Sequence, residues 1–252
     1  MTERLTSLKN PRLQAVRSLK DRKGRNALNA FLVEGDKMVL EALDSGFPVK
    51  ALLLREDRTP PPGLSPDLPV WLLPERVFDA LSDARSPQGI AAVVGRMPLR
   101  PEGSRLIALD GVQDPGNVGT ILRTADAAGF DGALLSPDCA DVFSPKVLRA
   151  TMGSVFRLGL LFPEDLAASL AALRGRGFSV LSSQLDGTPF YERQEVGEKF
   201  VLIIGNEGNG VSPSVRETAT HHLRLPMRGG AESLNAAVAA GIMMYELTRC
   251  LP

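Results

Sequence analysis

Six short apolar runs in the second half of the chain limit its fold more than any other feature. LIALDG, GALLS, VFRLGLLF, FSVLSS, KFVLIIG and HHLRLP are bounded by turn residues. Helical patterns separate them at 117–128, 144–152, 164–174, 212–219 and 233–249. Strands that are apolar on both sides are buried on both faces, and intervening helices supply the crossovers of a parallel sheet. The fold class expected is α/β, a mainly parallel sheet covered by helices. In such sheets ligands sit at the carboxyl ends of the strands, so the loops after the strands should carry the chemistry.

The first half alternates as well. It reads as a basic helix near 11–22, the strand FLVEG, a helix near 35–45, the strands VKALLLRE and VWLL, the helix PERVFDALSD and a last strand IAAVVG. That pattern implies a small α/β domain. DRTPPPGLSPDLP (57–69) reads as a surface loop and RMPLRPEGS (96–104) as an interdomain break. The expected division is a first domain over 1–97, a linker over 98–104 and a second domain over 105–252.

Composition narrows the function classes. The 252 residues are 44% apolar, enough for a real core, and the formal charge is zero. The whole chain is therefore no electrostatic sponge for nucleic acid. Residues 1–25, however, hold Arg4, Lys9, Arg12, Arg17, Lys20, Arg22, Lys23 and Arg25 against only Glu3 and Asp21. On charge alone, a solvated helical face and a phosphate-contacting patch both remain open. Cys139 and Cys250 lie far apart in no metal-ligand spacing, which fits a reduced cytoplasmic protein. His221 and His222 are adjacent at the start of a strand, where neighbours point to opposite faces, so no metal site is expected. The chain starts with no apolar signal segment. Its longest apolar run, 236–245, is too short to span a bilayer.

Three loops stand out. In LDGVQDPGNVGTILRTADAAGF (109–130) a strand runs into a Pro-Gly turn, and Asn117 reads as the N-cap of a helix that Gly129 ends. Ile121, Leu122, Ala125 and Ala128 give that helix its core face, and Arg123 is a surface charge or a functional one. In VLIIGNEGNGVSP (201–213) a buried strand runs into Gly205, Gly208 and Gly210 with Glu207 among them. Glycines there permit positive φ and close approach of backbone to a ligand. The spacing matches neither a P-loop nor GxGxxG. In LRLPMRGGAESLNAAVAAGIMMYEL (223–247) a glycine loop leads to Ser233, read as the cap of a nearly all-apolar helix that Leu234 begins. Asn235 is the one amide in that helix, either bonding a free backbone group or doing chemistry.

Together these loops resemble the SpoU/TrmH branch of the SPOUT superfamily, S-adenosylmethionine-dependent RNA ribose 2′-O-methyltransferases. Asn117, Gly119, Arg123, Thr124 and Ala125 look like the family's first motif, Gly205, Glu207, Gly208 and Gly210 its second, and Ser233, Leu234 and Asn235 its third. The resemblance covers about 104–252. More loosely, SLKNPRLQAVRSL, FLVEG and SPQGIAAVV resemble the family's substrate-binding domain, a ribosomal-protein-like RNA binder.

The resemblance implies a deep C-terminal trefoil knot, which periodicity does not suggest. It also implies a homodimer joined through the motif-one and C-terminal helices. S-adenosylmethionine would contact Gly205, Leu225 and Leu234, with Ile204, Gly208, Gly210 and Met227 beside them, and Ser183 in an expected loop at 182–187. Arg123 is the family's catalytic arginine. Because a guanidinium stays protonated to about pH 12, the role preferred for it is holding the RNA phosphate and favouring the forming alkoxide. Asn117, Glu207, Ser233 and Asn235 would hold the arginine and the ribose. Arg12, Arg17, Lys20, Arg22, Lys23 and Arg25 become candidate RNA contacts. Arg228 and Glu232, in the third-motif loop, bear on RNA contact and on the branch of the family. Ribosomal RNA is favoured over transfer RNA because of the separate first domain. No metal or membrane partner is expected. The rivals are a noncatalytic RNA-binding protein and a Rossmann-type oxidoreductase, which would need fingerprint glycines this chain lacks.

Overall fold

The computed structural model describes residues 2–97 and 101–249. Cys250 and part of the expected linker, 98–100, lie outside them. The chain divides into two compact units, Met1–Met97 with Phe143–Phe156, and Pro98–Val142 with Arg157–Pro252. The second segment of the first unit is a correction, because the sequence reading kept the helix near 144–152 with the second domain.

The first unit begins with β1 (Thr2–Arg4), a strand the sequence reading did not contain, and continues through α1 (Pro11–Ser18) and α2 (Arg22–Leu28). β2 (Ala30–Glu34), α3 (Asp36–Asp44), β3 (Val49–Arg55), β4 (Val70–Leu73), α4 (Glu75–Leu81) and β5 (Ile90–Gly95) follow. The sheet order is β1-β4-β3-β5-β2. β1, β4 and β3 run parallel, and β5 is antiparallel to both β3 and β2. One sheet face is covered by Leu13, Val16, Val77, Phe78 and Leu81 from α1 and α4. Phe143 and Phe156 from the later segment pack against Phe31 of β2.

The basic stretch is two helices instead of the single one expected over 11–22. The Asn10 side chain caps α1 by accepting from the Arg12 N–H at 2.9 Å. α2 then crosses the end of α1 so closely that a Cβ on Gly24 would lie 2.0 Å from the Ser18 carbonyl oxygen. Only glycine allows that approach. Arg25 is the price of the turn in charge terms: it is 3% exposed and its Nη1 donates to the Leu19 and Lys20 carbonyls at 2.8 and 2.7 Å. These are carbonyls that the end of α1 leaves without helical partners. Arg25 is therefore a structural residue, and its place among the RNA contacts is withdrawn.

In the second unit β6 (Arg105–Asp110), α5 (Pro115–Ala127) and β7 (Gly132–Leu135) come first. The chain then contributes α6 (Pro145–Thr151) and a 3-10 turn (Ser154–Phe156) to the first unit. β8 (Gly159–Leu161), α7 (Leu166–Gly175), β9 (Ser179–Pro189), β10 (Phe200–Gly205), α8 (Pro213–Arg216), β11 (His221–Arg224) and α9 (Ala236–Thr248) complete the unit. The six strands are all parallel, in the order β11-β9-β10-β6-β7-β8. The run VFRLGLLF is thus split, with Val155 and Phe156 in the turn and only Gly159–Leu161 in a strand.

Residues 182–187, expected as a loop, belong to β9. The pairing with β11 jumps from Ser182↔His222 to Thr188↔Leu223, so residues 183–187 leave the ladder inside the strand. From β6 the chain builds one way to β7 and β8, and β9 to β11 fill the other side. The order therefore reverses between β6 and β10, where the carboxyl ends of the two strands leave a crevice. Among the described residues no helix is long and apolar enough to cross a membrane.

Replacing Arg25 by alanine removes a donor from one buried and one part-buried carbonyl. This should cost about 1–3 kcal/mol and lower the unfolding temperature by several degrees. A thermal melt unchanged from the parent protein would contradict the structural assignment.

Candidate active site

Three loops meet at the reversal between β6 and β10. After β10 the chain makes a tight turn in which Asn206 and Gly210 exchange both backbone hydrogen bonds at 2.9 Å. A Cβ on Gly205 would lie 2.2 Å from the Gly210 carbonyl carbon, and Gly210 has φ +69°. Both glycines are thus required by the turn itself. The turn places Glu207 against the start of α5. Its carboxylate accepts from the Asn117 Nδ2 at 2.9 Å, from the Gln113 N–H at 3.3 Å and from the Asp114 N–H at 3.4 Å.

The directions of the bonds follow from that carboxylate, which only accepts. Asn117 must turn its Nδ2 to Glu207, which leaves its Oδ1 facing outward. Asn235 donates to that Oδ1 through Nδ2 at 2.9 Å. The Asn235 Oδ1 is then free to accept from the Ala237 and Val238 N–H groups at 2.9 and 3.2 Å, capping α9. Glu207, Asn117 and Asn235 form one polarised chain across the three loops. Burial pushes the Glu207 carboxyl up, but hydrogen bonds from Asn117, its own backbone, Gln113 and Asp114 outweigh that, and it sits below its usual value of 4.5.

Two capping assignments change. Asp114, not Asn117, caps α5, its side chain accepting from the Asn117 N–H at 2.8 Å. Asn235, not Ser233, caps α9, which starts at Ala236 instead of Leu234. The Asp-Pro pair at 114–115 carried that signal, since proline favours the first helical position just after a cap. Of the two roles read for Asn235, the structure shows the backbone cap, made by its Oδ1, while its Nδ2 is bonded to Asn117.

The remaining candidates are placed less tightly. Arg123 is exposed on α5, and among the described residues no hydrogen bond or ion pair engages its guanidinium. It lies six positions beyond Asn117, about 9 Å along the helix and about 120° around it. Ser233 is exposed and joins no hydrogen bond of the chain among the described residues. Ile204 is buried at the end of β10, Leu225 and Met227 are half-buried after β11, and Leu234 is 38% exposed. Ser183 is half-buried where β9 leaves its ladder, and Gly208 is exposed in the turn. A Cβ on Gly210, Gly229 or Gly230 would meet nothing within 4 Å, so the backbone of both loops is open to a ligand.

Sequence reasoning missed Asn206, Asp110 and Ser136, which tie these loops together. An asparagine in a glycine turn does carry a turn signal, but its long-range partner leaves no pattern. In the first unit, Arg12 pairs with Glu3 and lies over the Trp71 ring, and Lys20 pairs with Asp83 at 3.0 Å. Arg17, Arg22 and Lys23 are exposed, with no ion pair among the described residues. His221 and His222 bond separately, to Thr220 and Gln184. No group of three or more His, Cys, Asp or Glu side chains suited to a metal ion occurs among the described residues.

Comparison with known proteins agrees along the whole chain. Residues 104–245 match the model of the SpoU rRNA Methylase family, and residues 10–92 match the MRM3-like substrate binding domain. The chain is 37% identical over 247 residues to the 23S rRNA (guanosine(2553)-2′-O)-methyltransferase RlmP of Bacillus subtilis, covering 97% of this chain and 99% of that one. It is similar to the AdoMet-bound rRNA methyltransferase of Sinorhizobium meliloti, with 33% identity, a TM-score of 0.89 and coverage of 100% and 99%. It is also similar to the SpoU methyltransferase AviRb of Streptomyces viridochromogenes in complex with AdoMet, with 26% identity, a TM-score of 0.83 and coverage of 96% and 98%. The chain belongs to the SpoU rRNA methylase family, whose members are S-adenosylmethionine-dependent RNA ribose methyltransferases.

Proposed function

We propose that this chain methylates a ribose 2′-hydroxyl of large-subunit ribosomal RNA. The observation that carries the proposal is the Glu207–Asn117–Asn235 chain at the strand reversal, in a protein alike from end to end to a 23S rRNA 2′-O-methyltransferase.

The site's donor set fits the cofactor. Leu225, Met227 and Leu234 offer apolar walls, and the glycines of the two loops leave backbone N–H and C=O groups accessible for an adenine edge and an amino-acid group. Gly205, Ile204, Gly208, Gly210 and Ser183 complete the set that would hold it. When bound, S-adenosylmethionine supplies an electrophilic methyl group on a cationic sulfur.

The chain's own residues position and polarise the acceptor. Asn117 and Asn235 are held by an ionised Glu207, so their amides present fixed faces to a ribose. Arg123 brings a permanent charge to the RNA phosphate and the 2′-oxygen, lowering the energy of the alkoxide as the proton leaves to water or a phosphate oxygen. Ser233 borders the same loop and would bond the ribose or the cofactor.

Around this site we assign the family's knot to the C-terminal segment and a homodimer to α5 and α9. The dimer reading draws on Val238 and Tyr245, apolar or aromatic side chains of α9 that are 51% and 55% exposed. Residues 1–97 would serve as the RNA-binding domain through Arg17, Arg22 and Lys23, with Arg12 and Lys20 beside them. The cytoplasm, where ribosomal RNA is made and folded in a bacterial cell, is the assigned compartment.

Purified protein with labelled S-adenosylmethionine should place a 2′-O-methylnucleoside in unmodified 23S rRNA, read by nucleoside mass spectrometry. Arg123→Ala should lower the rate about 100-fold or more. A methylated base would overturn the chemistry, and label confined to transfer RNA would overturn the substrate. Asn235→Ala should remain a folded dimer, lose about 1 kcal/mol with its cap and turn over more slowly. Its complete unfolding would reduce the amide to a structural part.

Acid should test Glu207. Its folded-state pKa is depressed, so the stability it contributes is present above the unfolded value and is lost as pH falls through the folded one. Between pH 5 and 3 the parent protein should lose more stability than Glu207→Gln. Equal acid sensitivity in thermal melts would remove the carboxylate from the account.

A further inference from the structure

Apart from its own backbone, the donors to Glu207 all come from residues 113–117, so whatever holds that loop holds the site. Its first residue is Gly111, in the left-handed region at φ +68°. Gly111 is gripped on both sides. Its N–H donates to the Ser136 Oγ at 2.8 Å, and its carbonyl accepts from the Asn206 Nδ2 at 2.7 Å. Asn206 belongs to the turn that carries Glu207, and its Oδ1 already shapes that turn by accepting from the Gly208 and Asn209 N–H groups, both at 3.0 Å. The Nδ2 bond is a separate connection, reaching 95 residues back in the chain. Just beyond the turn, the Ser212 N–H donates to the Asp110 Oδ2 at 2.7 Å, tying down its other end.

We propose that Asn206 is a positioning residue: its Nδ2 clamps Gly111 so that the loop 111–117 meets the Glu207 carboxylate. The two ends of its side chain do different work. Oδ1 builds the turn locally, and Nδ2 sets the distance between this turn and the loop after β6. Without the second bond the turn still forms, but the carboxylate and its donors can drift apart. A displacement of about 1 Å at such a site lowers rates by up to about 100-fold. The effect on turnover rests on the methyl-transfer reading above, whereas the clamp itself does not.

Aspartate at this position separates the two ends. Asn206→Asp keeps an acceptor for Gly208 and Asn209 but loses the donor and sets an anionic oxygen against the Gly111 carbonyl. Asn206→Ala removes both ends. Both would be compared with the parent protein by amide hydrogen exchange over 111–117, by binding of S-adenosylhomocysteine, by thermal melting and by steady-state methylation of 23S rRNA. The clamp predicts faster exchange at Gln113 and Asp114 in Asn206→Asp, with cofactor affinity and melting temperature little changed. It predicts kcat about tenfold or more lower with KM for RNA nearly unchanged. In the Glu207→Gln background the same substitution should add little further loss, because both act through one contact.

Parent-like exchange and kcat in Asn206→Asp would overturn the proposal. So would loss of folding in both variants, or full additivity with Glu207→Gln. If the parent protein leaves 23S rRNA unmethylated while exchange at 113–114 still rises in Asn206→Asp, the clamp stands and the ribosomal-RNA reading falls.

Discussion

The second unit is organised around one carboxylate that can only accept hydrogen bonds. Glu207 sits at the crevice between β6 and β10, and its acceptor-only chemistry dictates the orientation of every amide that follows. Asn117 has to donate to it, Asn235 has to donate to Asn117, and the remaining oxygen of Asn235 has to face the start of α9. Asn117 is half-buried and Glu207 and Asn235 are exposed, so the bonds serve mainly to fix the amides' orientation and each contributes about 1 kcal/mol at most. The tight turn at 205–210 makes these bonds possible, and Gly205 is what lets the turn close.

That arrangement divides the labour of the site. The amides are held rigidly, while Arg123 stands exposed on another face of α5 without a partner among the described residues. A permanent charge kept apart from the Glu207 carboxylate is not neutralised by it. The same helix therefore carries a fixed end, at Asn117, and a solvent-facing cation about a turn and a half further on. The strand reversal places the fixed end where ligands of open α/β sheets are received.

Much of this was legible in order and in kind. Apolar runs located β6, β7 and β10 closely, because buried strands read as continuous apolar segments, and found β11 and the start of β9, whose second half is polar and exposed and was expected as a loop. The sixth, inside VFRLGLLF, was misjudged because its first half belongs to a 3-10 turn that packs with the other unit. The single basic helix failed for a local reason, the Gly24 crossing, whose partner Ser18 lies outside any simple periodicity. Charge counting put Arg25 on the surface, although two helix-end carbonyls bury it. Counting charges says nothing about which of them a neighbouring helix end will claim.

The sequence alone determined which residues could serve: glycines where a turn must close, an Asp-Pro helix start, and Glu and Asn placed just past strand ends. Those are local constraints, set by backbone geometry and by the hydrogen-bonding capacity of each side chain. Only the tertiary structure decided the partners. Asn117 reaches Glu207 across 90 residues and Asn235 across 118, and Asn206 finds Gly111 across 95. Sequence distance carries no information about these pairs, because the parallel crossovers bring the loops together only after the whole sheet has formed.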